Sequence, residues 1–216
     1  MNIIQVDFPT SQYFREEHPK SQVYLHHTAG SPNGVGTFGW WASNSERVAT
    51  CVSISGIGKG CIDGQIVQGF SSKFWAYHLG LQKSVFSSRK IPYTQLDKLS
   101  IGIEICNWGN LREANGKFYN YVGKEMDKGI IKLDKPFKGF QYFHDYTDAQ
   151  IESVRELLLL WNKRYNIPLD YCEDIWDITP RALKAEPGIY THNSVRKDKI
   201  DIYPHPRMIE MLKSLK

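Results

Sequence analysis

The stretch Val23-Tyr24-Leu25-His26-His27-Thr28-Ala29-Gly30 runs from a short apolar strand into two adjacent histidines and a glycine turn. Alternation along a strand puts Tyr24 and His26 on one face and Val23, Leu25 and His27 on the other. Only one of the two histidines can therefore point into a given site. Imidazole is the commonest protein ligand for zinc, and a strand end is a rigid mount with one side open to solvent. Taken alone, such a pair reads more often as a hydrogen-bonded packing element, so a metal site needs partners elsewhere in the chain.

Outward from this strand the pattern is that of a mixed sheet. In Leu99–Trp108, Ile101, Ile103 and Ile105 alternate with Gly102, Glu104 and Cys106, as in a strand buried near a sheet's centre. Val48–Ile62 is rich in β-branched residues, with glycines at 56, 58 and 60 that suggest bends. Those glycines lack the Lys-Ser/Thr and helix of a phosphate loop. Asp63-Gly64 is a turn signal leading into Gln65–Phe70, which predicts an antiparallel pair. Residues 31–39 read as a loop, followed by a short helix around Trp40 to Ser45.

Residues 109–146 form a long, aromatic, irregular stretch that includes Lys135-Pro136-Phe137; a loop of that length is functional or carries small elements of its own. Thr147-Asp148-Ala149-Gln150 is a capping box, and Ile151, Val154, Leu157, Leu158, Trp161 and Tyr165 recur at helical spacing until Pro168. A last amphipathic helix is expected from about Pro206 through Leu212. The expected fold is α/β (α+β): a single domain over residues 1–216, with its core at 20–213 and a central mixed β-sheet flanked by helices on both faces.

The 216 residues suffice for one packed core, and 41% hydrophobic with 23% charged residues is an ordinary globular composition. The balance of 27 basic to 23 acidic residues, net +4, is too mild to argue a nucleic-acid partner and suits an anionic polymer such as a bacterial cell wall. The first residues show no basic segment followed by an apolar run, so cytoplasmic synthesis is expected. No segment approaches the roughly 20 apolar residues of a membrane span, so no stable membrane insertion is expected. Four cysteines without C-x-x-C spacing fit a reducing compartment.

A second constellation lies near the C-terminus, at Thr191-His192 and Lys199-Ile200-Asp201. In an extended segment Lys199 and Asp201 face the same way. His26, His192 and Asp201 would make a three-ligand zinc site with its fourth position open, the arrangement of a catalytic metal. The alternative is a turn-capping His192 beside a surface ion pair. Glu104, a lone carboxylate within Ile-Gly-Ile-Glu-Ile, would have its pKa raised by burial toward the range of a general base and acid. Otherwise it is a structural Glu paired with Arg or backbone donors.

Four blocks occur in order: Tyr24-Leu25-His26-His27-Thr28-Ala29-Gly30, Ala76-Tyr77-His78-Leu79-Gly80, Ser100-Ile101-Gly102-Ile103-Glu104-Ile105, and Thr191-His192 with Lys199-Ile200-Asp201. With them the chain resembles the zinc-dependent N-acetylmuramoyl-L-alanine amidases of the type 2 amidase family, which includes phage endolysins, cell-wall recycling amidases and peptidoglycan recognition proteins. The resemblance implies one Zn2+ per chain on His26, His192 and Asp201. It also implies Glu104 as the group that activates water, Lys199 as the oxyanion partner and His78 in the substrate groove. Ala49-Thr50-Cys51 stands where some members carry a catalytic tyrosine, which shifts the load onto Glu104. The implied role is that of a monomeric phage or prophage endolysin that cleaves peptidoglycan between N-acetylmuramic acid and L-alanine after release through a phage-encoded pore. The rival readings are a cytosolic recycling amidase and a non-catalytic peptidoglycan-binding module.

Overall fold

The computed structural model describes residues 3–215. In chain order its elements are β1 (Ile3–Gln5), β2 (Gln22–His27), α1 (Gly34–Ala42), β3 (Val52–Ile54), β4 (Ile66–Gln68), α2 (Lys83–Ser88), α3 (Leu96–Leu99) and β5 (Ser100–Ile105). There follow β6 (Asn110–Ala114), β7 (Lys117–Tyr119), β8 (Glu125–Met126), β9 (Ile130–Phe137), β10 (Phe140–His144), α4 (Asp148–Tyr165), α5 (Pro180–Leu183), β11 (Gly188–Thr191) and α6 (Pro206–Lys213).

Six strands form a mixed sheet in the order β1-β4-β3-β5-β2-β11, in which only the β3–β4 pair is antiparallel. The antiparallel pair expected around Asp63-Gly64 is this one. β5 lies at the centre, as its Ile101/Ile103/Ile105 alternation predicts, flanked by β2 and β3 in parallel register. That register sets His26 level with Glu104, and Glu104 level with Ser53. Leu25, Ile54, Ile103 and Ile105 share one buried cluster with Val154, Leu157, Leu158 and Trp161 of α4 and Met208 and Leu212 of α6. Among the described residues no helix is long and apolar enough to cross a membrane.

The glycine-rich stretch expected as a loop is helical from Gly34, six residues before the expected start. Asn33 caps it by accepting from the Gly36 N–H at 3.0 Å, which offsets the low helix propensity of the glycines. Gly34 is there for packing: a Cβ at that position would lie 2.8 Å from the Ser53 and Ser55 hydroxyls and 2.9 Å from Val67 Cγ2. The missing side chain lets α1 lie close against the sheet.

The irregular stretch expected at 109–146 is a second sheet of five antiparallel strands, in the order β8-β7-β6-β10-β9. Two-residue turns at Asn115-Gly116 and Lys138-Gly139, with positive φ at all four residues, join β6 to β7 and β9 to β10. Such turns match the natural twist of a hairpin. Pro136 is accommodated because β9 is an edge strand, where a missing N–H breaks no inner ladder. At its C-terminal end the aromatic residues of the stretch pack against the C-terminal segment. Phe143 stacks on Tyr203 at 4.2 Å, Tyr146 stacks on the same ring at 4.9 Å, and the Tyr203 hydroxyl donates to the His144 carbonyl at 2.7 Å.

α4 begins as the capping box predicts, with the Thr147 hydroxyl accepting from the Gln150 N–H at 3.0 Å and the Gln150 side chain accepting in return from the Thr147 N–H. Thr147→Ala is expected to remove about 1 kcal/mol of stability. Urea unfolding should show a lower midpoint at an unchanged slope.

Candidate metal centre and active-site cleft

Parallel pairing brings the two candidate histidines together. β11 is in register with β2 such that Thr191 faces Leu25, so His192, the next residue, emerges beside His26. The chain then turns through His192–Ser194, where the Thr191 and Ser194 side chains each accept from the other residue's backbone N–H, and returns through 195–200 to Asp201. Asn193 holds that return by donating to the Ile202 carbonyl at 2.7 Å. Lys138, at the tip of the β9–β10 hairpin, donates to Asn193 Oδ1 at 2.7 Å and to the Lys199 carbonyl at 2.6 Å. The second sheet thus braces the segment that carries Lys199 and Asp201.

The result is a triangle of donor atoms: His26 Nδ1 to His192 Nδ1 3.1 Å, His26 Nδ1 to Asp201 Oδ2 3.2 Å, and His192 Nδ1 to Asp201 Oδ2 2.9 Å. The far nitrogen of His192 lies 2.9 Å from the Leu79 carbonyl, which can only accept, so Nε2 carries a proton and Nδ1 is the nitrogen turned into the triangle. Burial works to raise the Asp201 carboxyl, but its contacts with His192 and His26 outweigh it and hold it well below the usual range. Burial, reinforced by His192, pushes His26 down to about 4, so at neutral pH it is uncharged. Two imidazole nitrogens and a carboxylate therefore converge on one point, a donor set suited to a cation. Tetrahedral bonds of about 2.0–2.2 Å set ligand atoms roughly 3.3–3.6 Å apart, close to the observed spacing. This His-His-Asp set fits a metal ion.

Glu104, level with His26, lines the same cleft of about 440 Å³ together with His78, His192, Lys199 and Asp201. Burial raises its carboxyl well above the ordinary value; the Asp201 charge pushes the same way and Lys199 opposes. His78 also borders the cleft, but both its ring nitrogens are engaged, Nδ1 at 3.0 Å from His26 Nε2 and Nε2 at 2.8 Å from Ser100 Oγ. Behind the strand His27 contacts the Tyr146 hydroxyl at 2.7 Å through Nδ1, the packing role open to the second histidine of the pair.

The N-acetylmuramoyl-L-alanine amidase family model matches residues 16–206. The chain belongs to that family. No curated protein matches it significantly by sequence. Among solved structures it is similar to PlyL, at 15% identity and a TM-score of 0.57 over 100% of this chain and 99% of that one. It is similar also to the N-acetylmuramoyl-L-alanine amidase LysC from Clostridium intestinale (14%, 0.51, 99% and 95%) and to a mutant endolysin from Bacillus subtilis (14%, 0.51, 100% and 99%). At these identities the likeness is one of fold.

Two further features shape the cleft of this amidase. Thr50, on the cleft wall, is buried and its hydroxyl donates to the Val52 carbonyl at 2.7 Å. Beside Glu104 the cleft continues into a second chamber of about 420 Å³ lined by Trp40, Trp41 and Tyr121. Trp40 and Tyr121 are each 66% exposed, and Tyr121 comes from the β7–β8 connection of the second sheet. The signal for it was the Asn-Gly turn at 115–116, which marks a hairpin in the supposed loop.

Proposed function

We propose that this amidase is a zinc enzyme that hydrolyses the amide between the lactyl carbonyl of N-acetylmuramic acid and L-alanine in peptidoglycan, acting as a phage endolysin. The observation that carries the reading is the triangle of His26, His192 and Asp201, with every edge at or below 3.2 Å, next to Glu104, whose carboxyl desolvation holds well above its ordinary value. When bound there, zinc would supply Lewis-acid chemistry, polarising a carbonyl and acidifying water toward a pKa of about 7. Glu104 takes a proton from the attacking water as its oxygen bonds to the lactyl carbon, then hands that proton to the alanine nitrogen as the C–N bond breaks. Lys199, on the same cleft wall, opposes the negative charge that gathers on the carbonyl oxygen. The neutral state of His26 and the ionised state of Asp201 suit both residues to metal ligation.

Dialysis of the purified protein against a chelator should abolish release of peptide from cell walls, and zinc alone at one equivalent should restore it. Undiminished digestion by metal-free protein would overturn the zinc assignment. The endolysin role draws on the fold shared with a Bacillus subtilis endolysin. It requires that intact sacculi be digested; an enzyme that cleaves only small soluble muropeptides would instead serve recycling.

The exposed aromatic wall at Trp40 and Tyr121 offers flat apolar faces to a polymer that runs beyond the scissile bond. Tyr121→Ala should remove about 1 kcal/mol of binding, roughly a fivefold rise in KM at unchanged kcat. Steady-state kinetics on solubilised peptidoglycan would read this directly.

A further inference from the structure

The two histidines of the metal triangle are held from behind by one short segment, His78-Leu79. His78 Nδ1 stands 3.0 Å from the outer nitrogen of His26, and the Leu79 carbonyl stands 2.9 Å from the outer nitrogen of His192. That segment is itself fixed by a single atom. Asp97 Oδ1 accepts from the His78 N–H at 2.8 Å and from the Leu79 N–H at 3.0 Å. Asp97 is only 3% exposed, in a short helix that leads directly into β5. Three residues on, Ser100, also buried, meets His78 Nε2 at 2.8 Å. Gly102 completes the arrangement, because a Cβ there would lie 3.1 Å from His78 Nδ1 and 2.5 Å from Thr50 Cγ2.

We infer that Asp97 is a positioning residue for the metal centre, acting through the His78-Leu79 segment to set the orientation and tautomer of His26 and His192. This rests on the reading of His26, His192 and Asp201 as metal ligands. The Leu79 carbonyl fixes the proton of His192 on Nε2. Along the second arm one consistent arrangement runs outward: His26 Nε2–H donates to His78 Nδ1, and His78 Nε2–H donates to Ser100 Oγ. Both rings then turn Nδ1 lone pairs toward Asp201. Carbonyl and imidazole acceptors behind a ligand histidine are what orient a metal-bound ring and raise its basicity. A carboxylate that accepts two successive N–H groups leaves neither amide unpaired in the interior and locks both acceptors at once.

The test is zinc affinity, measured by competition with a chromophoric chelator, together with the visible spectrum of the cobalt-substituted protein. Outer-shell changes at metal sites weaken binding by about 10–100-fold. D97A is expected to lose affinity in that range with an altered cobalt spectrum, and D97N, which keeps the accepting oxygen, is expected to stay within about threefold of wild type. H78F, which removes only the partner of His26, should weaken zinc about tenfold, and it decides the matter if D97A does not fold. Wild-type affinity and an unchanged cobalt spectrum in both D97A and H78F would overturn the inference while leaving the metal site standing. A D97N variant as weak as D97A would overturn the accepting role of Oδ1. If the wild-type protein bound zinc no better than H26A, the metal-site reading itself would fail, and this inference with it.

Discussion

Glu104→Gln should lower kcat on peptidoglycan by roughly 10²–10⁴-fold while leaving one zinc per chain and an unchanged melting temperature. Glutamine keeps the shape and the hydrogen-bonding oxygen of the side chain but cannot accept the water's proton, so the variant isolates proton transfer from packing. Glu104 contributes to the cleft wall and sits across from His26 on the neighbouring strand, yet it is not one of the three converging donors. Its loss therefore leaves the ligand triangle complete. Activity within tenfold of wild type would show that another group takes the proton. Metal loss in the same variant would show that Glu104 is a ligand and that the division of roles is wrong.

The second large effect falls on Asp201. It is the anionic corner of the triangle, held ionised by His192 and His26 against its burial. Asp201→Ala should strip the metal, weakening binding by more than the roughly 10–100-fold of an outer-shell partner, and bring activity to background. Asp201→Cys, which replaces one anionic zinc ligand by another, should retain zinc where the alanine variant does not. Elemental analysis after gel filtration separates these outcomes. An alanine variant that keeps a full equivalent of zinc would remove Asp201 from the ligand set and leave its contacts with the histidines as simple hydrogen bonds.

Much of this architecture was legible in the chain because its signals are local. The alternation around Glu104 reports a strand buried on both faces, and β5 is the sheet's centre; the Thr147 capping box starts α4 where it should. The candidate ligand set came from four blocks in order: strand alternation admits only one of His26 and His27 to a site, and the family resemblance implies His26. What was hidden depended on tertiary partners. α1 looked like a loop because three glycines depress helix propensity, and the use of Gly34 is visible only against Ser53 and Val67 of the sheet. The second sheet was obscured by Pro136 and by strands whose outward residues are charged, although Asn115-Gly116 marked one hairpin. Asp97 carries no motif at all. Its importance arises from two backbone N–H groups 18 and 19 residues earlier in the chain.

The central claim concerns which bond is broken. Purified sacculi digested to completion should show new amino groups, with alanine as the new N-terminal residue, in step with the fall in turbidity, and no new reducing sugar ends. New reducing ends, or new amino groups on any residue other than the alanine attached to muramic acid, would contradict the account.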